Sequence, residues 1–346
     1  MTRAKDGAAR GGLRGWGGVT GMAVACAVTA SLTLLPLAHS EGSTAGPATG
    51  PGSTSAVPAK AAECKDPEAS LEPSNADGPS IEKIKKRGKL IAGIDQNSFR
   101  WGYRNPEAGS GTIEGFDIDL VRAIAQNILG DRDAVIFRAI PTNQRIAALE
   151  HDQVDVVVRT MTINCERAEQ VSFSTAYFQA GQQVLAPKES RIDGYDESLK
   201  GKRVCTAEGS TAYDALKAKS FGAIFEDKHD GTDLDEDQLT VPNQLDCLVR
   251  LQLGEVDAVV TDNALAAGQA AQDPAVELKG DGPFTTEYYG VAAKLGADDL
   301  VARVNQVLVE YRQGGANSPW MKSYRTWLAE GLPGIKGPPA PKYRSN

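Results

Sequence analysis

Histidine is nearly absent, with three in 346 residues. One of them, His39, lies in an N-terminal apolar run, which leaves only His151 and His229 downstream. No G-x-S-x-G, H-E-x-x-H or P-loop occurs, so the common nucleophilic, zinc-hydrolytic and nucleotide-binding machineries have no support. No C-x-x-C occurs either, which removes a zinc ribbon and a dithiol redox centre. Basic residues cluster only at Lys85-Lys86-Arg87, in a chain of net charge −8. A nucleic-acid partner is therefore not expected. Together these absences argue against catalysis and against a resident cofactor or metal.

What is present begins with Arg3, Lys5, Arg10 and Arg14 ahead of an apolar run over about residues 19–38, the layout of an export signal within residues 1–40. Three readings fit it. Ala38-His39-Ser40 offers cleavage after Ser40, Ala23-Val24-Ala25-Cys26 reads as a lipoprotein box with Cys26 acylated, and the run also reaches roughly the length of an uncleaved anchor. All three put the rest of the chain outside the cytoplasmic membrane, either secreted or held to the outer face through its N-terminus. Residues 41–79 read as a flexible tether and N-terminal arm, almost free of large apolar side chains up to about residue 62.

The chain is organised around residues 154–167, V-D-V-V-V-R-T-M-T-I-N-C-E-R. The apolar, β-branched start is too short for a helix and reads as a buried strand. A polar loop with Thr160, Thr162, Asn164 and Arg167 follows. Ligands in open α/β sheets sit beyond the carboxyl ends of strands, and an Arg fork beside hydroxyl donors suits a carboxylate. The competing reading is a surface loop whose threonines bond their own backbone. Residues 149–160 have a second copy at 251–262, and 88–92 resemble 201–205. Two α/β units in one order predict two similar lobes with strand ends facing a common cleft. Setting Cys26 aside leaves Cys64, Cys165, Cys205 and Cys247. An even count in an exported chain favours two disulfides, and four cysteines allow three pairings. Cys205 and Cys247 share the second repeat and are paired on that ground, which leaves Cys64 for Cys165.

In chain order, a short helix with Ile81 and Ile84 precedes a strand over 90–94. A polar loop over 95–111 then holds Asp95, Phe99, Arg100, Trp101, Tyr103 and Arg104, which either wall a pocket or pack over the lobe. A helix with Leu120, Ile124 and Ile128 at helical spacing follows, then a strand over 135–140. Thr142 or Asn143 is expected to cap the next helix, putting Arg145 in its first turn, where a cation opposes the dipole and points to an anionic partner. Residues 173–186 read as a strand running into a crossover. The second lobe offers a strand over 204–207 and Glu208-Gly209-Ser210-Thr211 entering a helix. Those residues serve either as a carboxylate cradle or as a plain cap. Residues 226–237 carry seven acids and one lysine without calcium-loop spacing, and read as a solvated loop. A helix over 243–253 and a strand over 256–260 lead to Thr261 and Asp262. The chain returns through 287–291 and ends in helical segments over 300–312 and 320–328. A double crossing permits hinge closure. The expected lobes are 80–185 plus 286–330, and 186–285, with a tail over 331–346.

The runs E-G-F-D-I-D-L (114–120), M-T-I-N-C-E-R (161–167), F-S-T-A-Y-F (173–178), V-D-A-V-V-T-D (256–262) and E-Y-Y-G-V-A-A-K (287–294) resemble the extracellular solute-binding proteins of family 3, which serve amino-acid ABC importers. The resemblance spans about residues 80–330 and leans toward glutamate-binding members from high-GC Gram-positive bacteria. It implies the type II periplasmic-binding-protein fold, no catalysis, a monomer, and an amino acid enclosed between lobes. It also implies a membrane partner, either an ABC permease or a sensor that reads the closed form.

The family's carboxylate-binding Arg falls on Arg167, with Thr160 and Thr162 as donors. Its ammonium-binding Asp falls on Asp262, Ser210 and Thr211 grip the α-carboxylate from the second lobe, and Asp95 often faces the ligand. Arg145 matches an Arg that meets a side-chain carboxylate in the glutamate/aspartate branch. The chain departs from the family at Arg159, where a small residue is common, and at Cys165, where Pro is usual. The expected ligand is glutamate, then aspartate, with Arg145 as the selecting cation and Arg159 or Arg100 as a further one. The alternative pairs Arg145 with Glu114 or Asp117 and leaves a site for glutamine or another polar amino acid.

Overall fold

The V-D turn does the same structural work in both copies. Asp155 accepts the Ile91 N–H on its carboxylate at 2.8 Å while its own N–H donates to the Ile91 carbonyl. Asp257 repeats this with Arg203, accepting the N–H at 2.8 Å and donating to the carbonyl. The side chain thus extends the ladder by one bond and sets the register of the strand that follows. This is seen in a computed structural model that describes residues 64–108, 111–226 and 239–344, all in one unit, Ala61–Asn346.

Two five-stranded sheets carry the fold. In the first, Leu90–Ile94 is flanked in parallel by Val135–Ala139 and Val156–Val157, and Ala292–Lys294 then runs antiparallel between Val156–Val157 and Val171–Phe173. In the second, Val204–Ala207 is flanked in parallel by Thr240–Val241 and Ala258–Asp262, and Gln182–Pro187 runs antiparallel between Ala258–Asp262 and Val276–Lys279. The pairing order is the same, so the sequence repeat is a structural one. In each sheet the antiparallel strand beside the parallel three abuts a crossing between lobes. The crossings pair with each other, Phe178–Ala180 against Glu287–Tyr289. At Gly181 a Cβ would lie 1.9 Å from the Thr285 carbonyl oxygen, so only glycine lets the two crossings touch. The result is the expected α/β fold of two lobes joined by two segments.

The scarce aromatics concentrate under these crossings. Trp101, Phe116, Tyr177, Phe178, Tyr289 and Trp320 are all buried, with the Trp101 and Phe178 rings edge-to-face at 4.8 Å. Such pairs add about 0.5–1.5 kcal/mol each beyond their area. Trp101 also donates its indole N–H to the Ala264 carbonyl, so this side chain is core and not pocket wall.

Several local expectations are corrected. The polar stretch 95–111 is built on three short antiparallel strands, Asn97–Ser98, Gly102–Asn105 and Thr112–Glu114. A lobe boundary after residue 185 falls inside Gln182–Pro187, which belongs wholly to the second sheet because its partners are there. No side chain caps the Arg145–Glu150 helix; a 3-10 turn, Thr142–Gln144, leads into it. The C-terminal segment is no loose tail through residue 344, since Tyr343 bridges Ser70 and the Ser70 hydroxyl bonds the Phe173 carbonyl at 2.6 Å. Arm and tail thus zip together.

Both expected disulfides are present, Cys64–Cys165 and Cys205–Cys247. The first ties the arm to the short Cys165–Ala168 helix, and the second ties the Val204–Ala207 strand to the Gln244–Leu253 helix. The export signal with its lipoprotein box and anchor alternatives lies outside the described residues, as do residues 227–238 with His229. Among the described residues no helix is long and apolar enough to cross a membrane. No group of His, Cys, Asp and Glu among them could hold a metal ion.

Candidate functional site

The loop after Val156–Val157 owes its shape to bonds on both flanks. Thr160 has a φ of +41°, uncommon for a β-branched residue, and its N–H donates to the buried Asp117 carboxylate at 3.0 Å. Asp117 also accepts the Tyr177 hydroxyl, and burial pushes its pKa up to about 7. Further on, Ile163 N–H donates to the Tyr288 carbonyl, so the loop zips onto a crossing strand. Asn164 caps Cys165–Ala168 by accepting the Arg167 N–H at 2.9 Å. That cap turns the Arg167 side chain back toward the cleft.

Arg145 and Arg167, both on the first lobe, converge on one carbonyl of the second. Arg145 Nη2 donates to Gly209 O at 3.2 Å and Arg167 Nη2 to the same oxygen at 3.1 Å. Their other bonds also go to carbonyls: Arg145 to Thr142 at 2.8 Å and, at 3.4 Å, to Arg159; Arg167 to Thr162 at 2.8 Å. Gly209 adopts φ +71°, and a Cβ there would press within 3.0 Å of Asn143 Cα, so the close approach of the lobes requires glycine. Neither guanidinium forms an ion pair with a carboxylate among the described residues. Burial lowers both pKa values, for Arg145 well below the ordinary range and aided by the Arg167 and Arg159 cations. Their hydrogen bonds go to carbonyls, while carboxylates act on them only at longer range, Glu287, Asp214 and Asp262 on Arg167 and Asp262 and Asp95 on Arg145; an anion bound directly between the two would offset the cost of burying them. Both line a cavity of about 490 Å³ with Asn143, Glu208, Gly209 and Asp214.

Three expected site residues are engaged elsewhere. Arg159, fully buried, pairs with Asp95 at 2.9 Å and donates to Thr142 Oγ1 and Asn243 Oδ1. Asp95 spends its remaining capacity on Asn97 N–H and Ser98 Oγ. The two charges pair with each other in this structure. Arg100 reaches outward to Glu330 and lies over the Phe99 ring. Nor does Arg145 pair with Glu114, which accepts from Tyr103 and Asn105, or with Asp117. Ser210 caps the Thr211–Ala218 helix by accepting Tyr213 N–H and donates to Ala207 O, the plain capping role.

Two further acids, Asp262 and Glu287, lie beside the crossings and do not line that cavity. Asp262 ends the Ala258–Asp262 strand and accepts from Gln182 Nε2 and from the Tyr289 hydroxyl. Burial, then the neighbouring Glu287 charge, raises its pKa to about 7. Glu287 accepts Thr162 Oγ1 from the first lobe at 2.5 Å, Thr211 Oγ1 from the second at 2.8 Å, and Thr285 Oγ1 at 3.2 Å. Thr162 and Thr211 therefore serve a protein carboxylate in this structure. Asp262 and Glu287 form no salt bridge among the described residues. Sequence reasoning did not single out Glu287 or Gln182, which the structure brings beside Asp262 and Thr162. E-Y-Y-G at 287–290 was the available signal, since a buried Glu on a crossing strand needs partners.

The bacterial extracellular solute-binding proteins, family 3, match residues 90–330. The chain is 34% identical to the ABC transporter glutamine-binding protein GlnH of Bacillus subtilis, over 72% of this chain and 85% of that one. It is 36% identical to a glutamine-binding protein of Geobacillus stearothermophilus, over 62% and 76%. It is 27% identical to the glutamate-binding protein GluB of Corynebacterium glutamicum, over 64% and 74%. Among solved structures, an ancestral arginine-binding protein bound to glutamine superposes with a TM-score of 0.60 at 33% identity, covering 70% of this chain and 98% of the other. The lean toward glutamate-binding members is not matched by these identities, which are higher for the relatives named for glutamine. The chain belongs to the bacterial extracellular solute-binding proteins, family 3: it is a binding protein and not an enzyme.

Proposed function

We propose that this protein captures glutamine or glutamate outside the cytoplasmic membrane by closing its two lobes, and delivers it to an ABC importer. One observation carries the reading. Two buried guanidiniums and two buried carboxylates stand near enough to feel each other's charge, yet none of the four forms a salt bridge among the described residues. A zwitterion complements that division. Its α-carboxylate goes to Arg167, its ammonium to Asp262, and its side chain extends toward Arg145. The lobes that close on this reading are residues 80–180 with 286–330, and 182–285. Hinge closure then completes the site, because Arg167 and Asp262 come from different lobes and binding energy favours the closed form. The glutamine-binding GlnH of Bacillus subtilis, an ABC transporter component at 34% identity, supports import as the purpose of capture.

Two observations bear on the side chain. Arg145 is a cation without an acid partner among the described residues, which favours glutamate through an ionic contact. The relatives at 34% and 36% identity are named for glutamine, which favours the amide. A calorimetric panel of glutamate, aspartate, glutamine, asparagine, histidine and arginine against the mature protein ranks them. A charge-assisted contact from Arg145 is worth about 1.5–3 kcal/mol, or over tenfold in affinity. Arg145→Gln is therefore expected to cost glutamate at least about tenfold while barely changing glutamine. Equal loss of both ligands would make Arg145 a structural residue and leave the glutamine reading.

A further inference from the structure

Gln182 opens the first strand of the second lobe and is fully buried. Its amide nitrogen carries two hydrogens and faces three acceptors: Thr211 Oγ1 at 2.9 Å, Glu287 Oε1 at 3.0 Å and Asp262 Oδ1. Its amide oxygen, Gln182 Oε1, is buried with no hydrogen-bond partner. A buried orphan acceptor beside two carboxylates is costly unless a donor arrives. The deficit is one of hydrogens, and all three groups border the crossings that enclose a ligand. An α-ammonium brings three donors and one positive charge, which matches Asp262, Glu287 and Gln182 Oε1 in number and sign.

We propose that Glu287 shares the ligand's ammonium with Asp262, oriented by Gln182, and that ammonium binding expels to solvent a proton held by Asp262. The proposal rests on the amino-acid reading above. Asp262 is buried beside the Glu287 charge and bridged to it by a single amide, with no cation in salt-bridge contact among the described residues, so Asp262 holds a proton when free and gives it up beside an ammonium. The balance is one proton out for one ammonium in.

The pH window follows from burial and the Glu287 charge, which raise Asp262 to about 7. Below about 7 free Asp262 carries its proton and binding must displace it. Affinity therefore falls by up to about tenfold per pH unit as pH drops below about 7, and is level above it. The charged and titratable groups facing the pair are Tyr289 on its own crossing, Arg145, Arg167 and Asp214 from the facing helices, and Tyr177 beyond Tyr289. Asp117 is raised to about 7 as well, but it serves the Thr160 N–H and the Tyr177 hydroxyl and keeps those bonds.

The test is calorimetry in two buffers of different ionisation enthalpy, using whichever of glutamine, glutamate, asparagine and arginine binds tightest. Wild type is expected to release about one proton at about pH 6 and almost none at about pH 8.5. Glu287→Gln removes the like charge and leaves burial alone to raise Asp262, so the window of proton release moves to lower pH. Its release at about pH 6 is expected to be smaller than that of wild type, with affinity at about pH 8.5 reduced about tenfold. No proton release by wild type at the lower pH, or equal release by Glu287→Gln, overturns the proposal. Tightest binding of arginine or asparagine overturns the glutamine–glutamate reading instead, and the proton count is still read with that ligand.

Discussion

Arg167→Ala is expected to weaken amino-acid binding by at least about 2–4 kcal/mol, and Asp262→Ala by a similar amount. Each substitution removes the nearer of the two counterions facing one charge of the bound zwitterion. In the Arg167 variant a carboxylate faces only carbonyls and the Arg145 cation, which is already engaged with Thr142 and Gly209. In the Asp262 variant an ammonium keeps Glu287 alone, so some binding survives. Titration calorimetry at about pH 8 measures both losses, above the window in which Asp262 takes up a proton. Arg167 also links Thr162 O to Gly209 O across the lobes, so thermal melting of the ligand-free variants separates loss of contact from loss of fold. Either variant binding within about threefold of wild type would remove the residue from the clamp.

The double change Cys205→Ala with Cys247→Ala should lower the unfolding free energy by about 2–4 kcal/mol. The bond closes a loop of 42 residues, and both cysteines are fully buried in the second lobe's core. Chain entropy alone gives about 4 kcal/mol for a loop of that size, and residual order in the reduced chain trims it. Alanine avoids placing a serine hydroxyl between Leu185, Leu248 and Val259, where the core offers hydrocarbon. Urea titration under non-reducing conditions measures the change. A loss below about 1 kcal/mol would mean that the strand and helix are held by packing alone.

Much of the architecture is determined by the chain's local patterns. The β-branched runs at 90–94 and 204–207 become parallel strands because alternating and continuous burial are properties of neighbours in sequence. The V-D turns repeat because an Asp carboxylate reaches an adjacent strand N–H from a fixed offset. The shared repeat placed Cys205 near Cys247, and the order of segments gave two crossings. Arg167, Asp262 and Arg145 were visible as charged residues at the ends of apolar strands or in the first turn of a helix. Such positions open on a cleft in any sheet of this kind.

Only the tertiary structure decided which charges are spent. Arg159 and Asp95 are 64 positions apart, and nothing local to either says that they neutralise each other. Arg100 sits between Phe99 and Trp101, yet a backbone φ of +68° turns its guanidinium out to Glu330 while Trp101 enters the core. Glu287 lies in a run that reads as a plain strand. It is drawn between the lobes because Thr162 from one and Thr211 from the other reach it, with Gln182 beside them at the start of the second lobe's Gln182–Pro187 strand. Strands and turns arise from contacts a few residues apart and leave a periodic mark in the chain. Charge pairing in a cleft depends on which loop ends meet in space, and side-chain identity carries no periodic record of that.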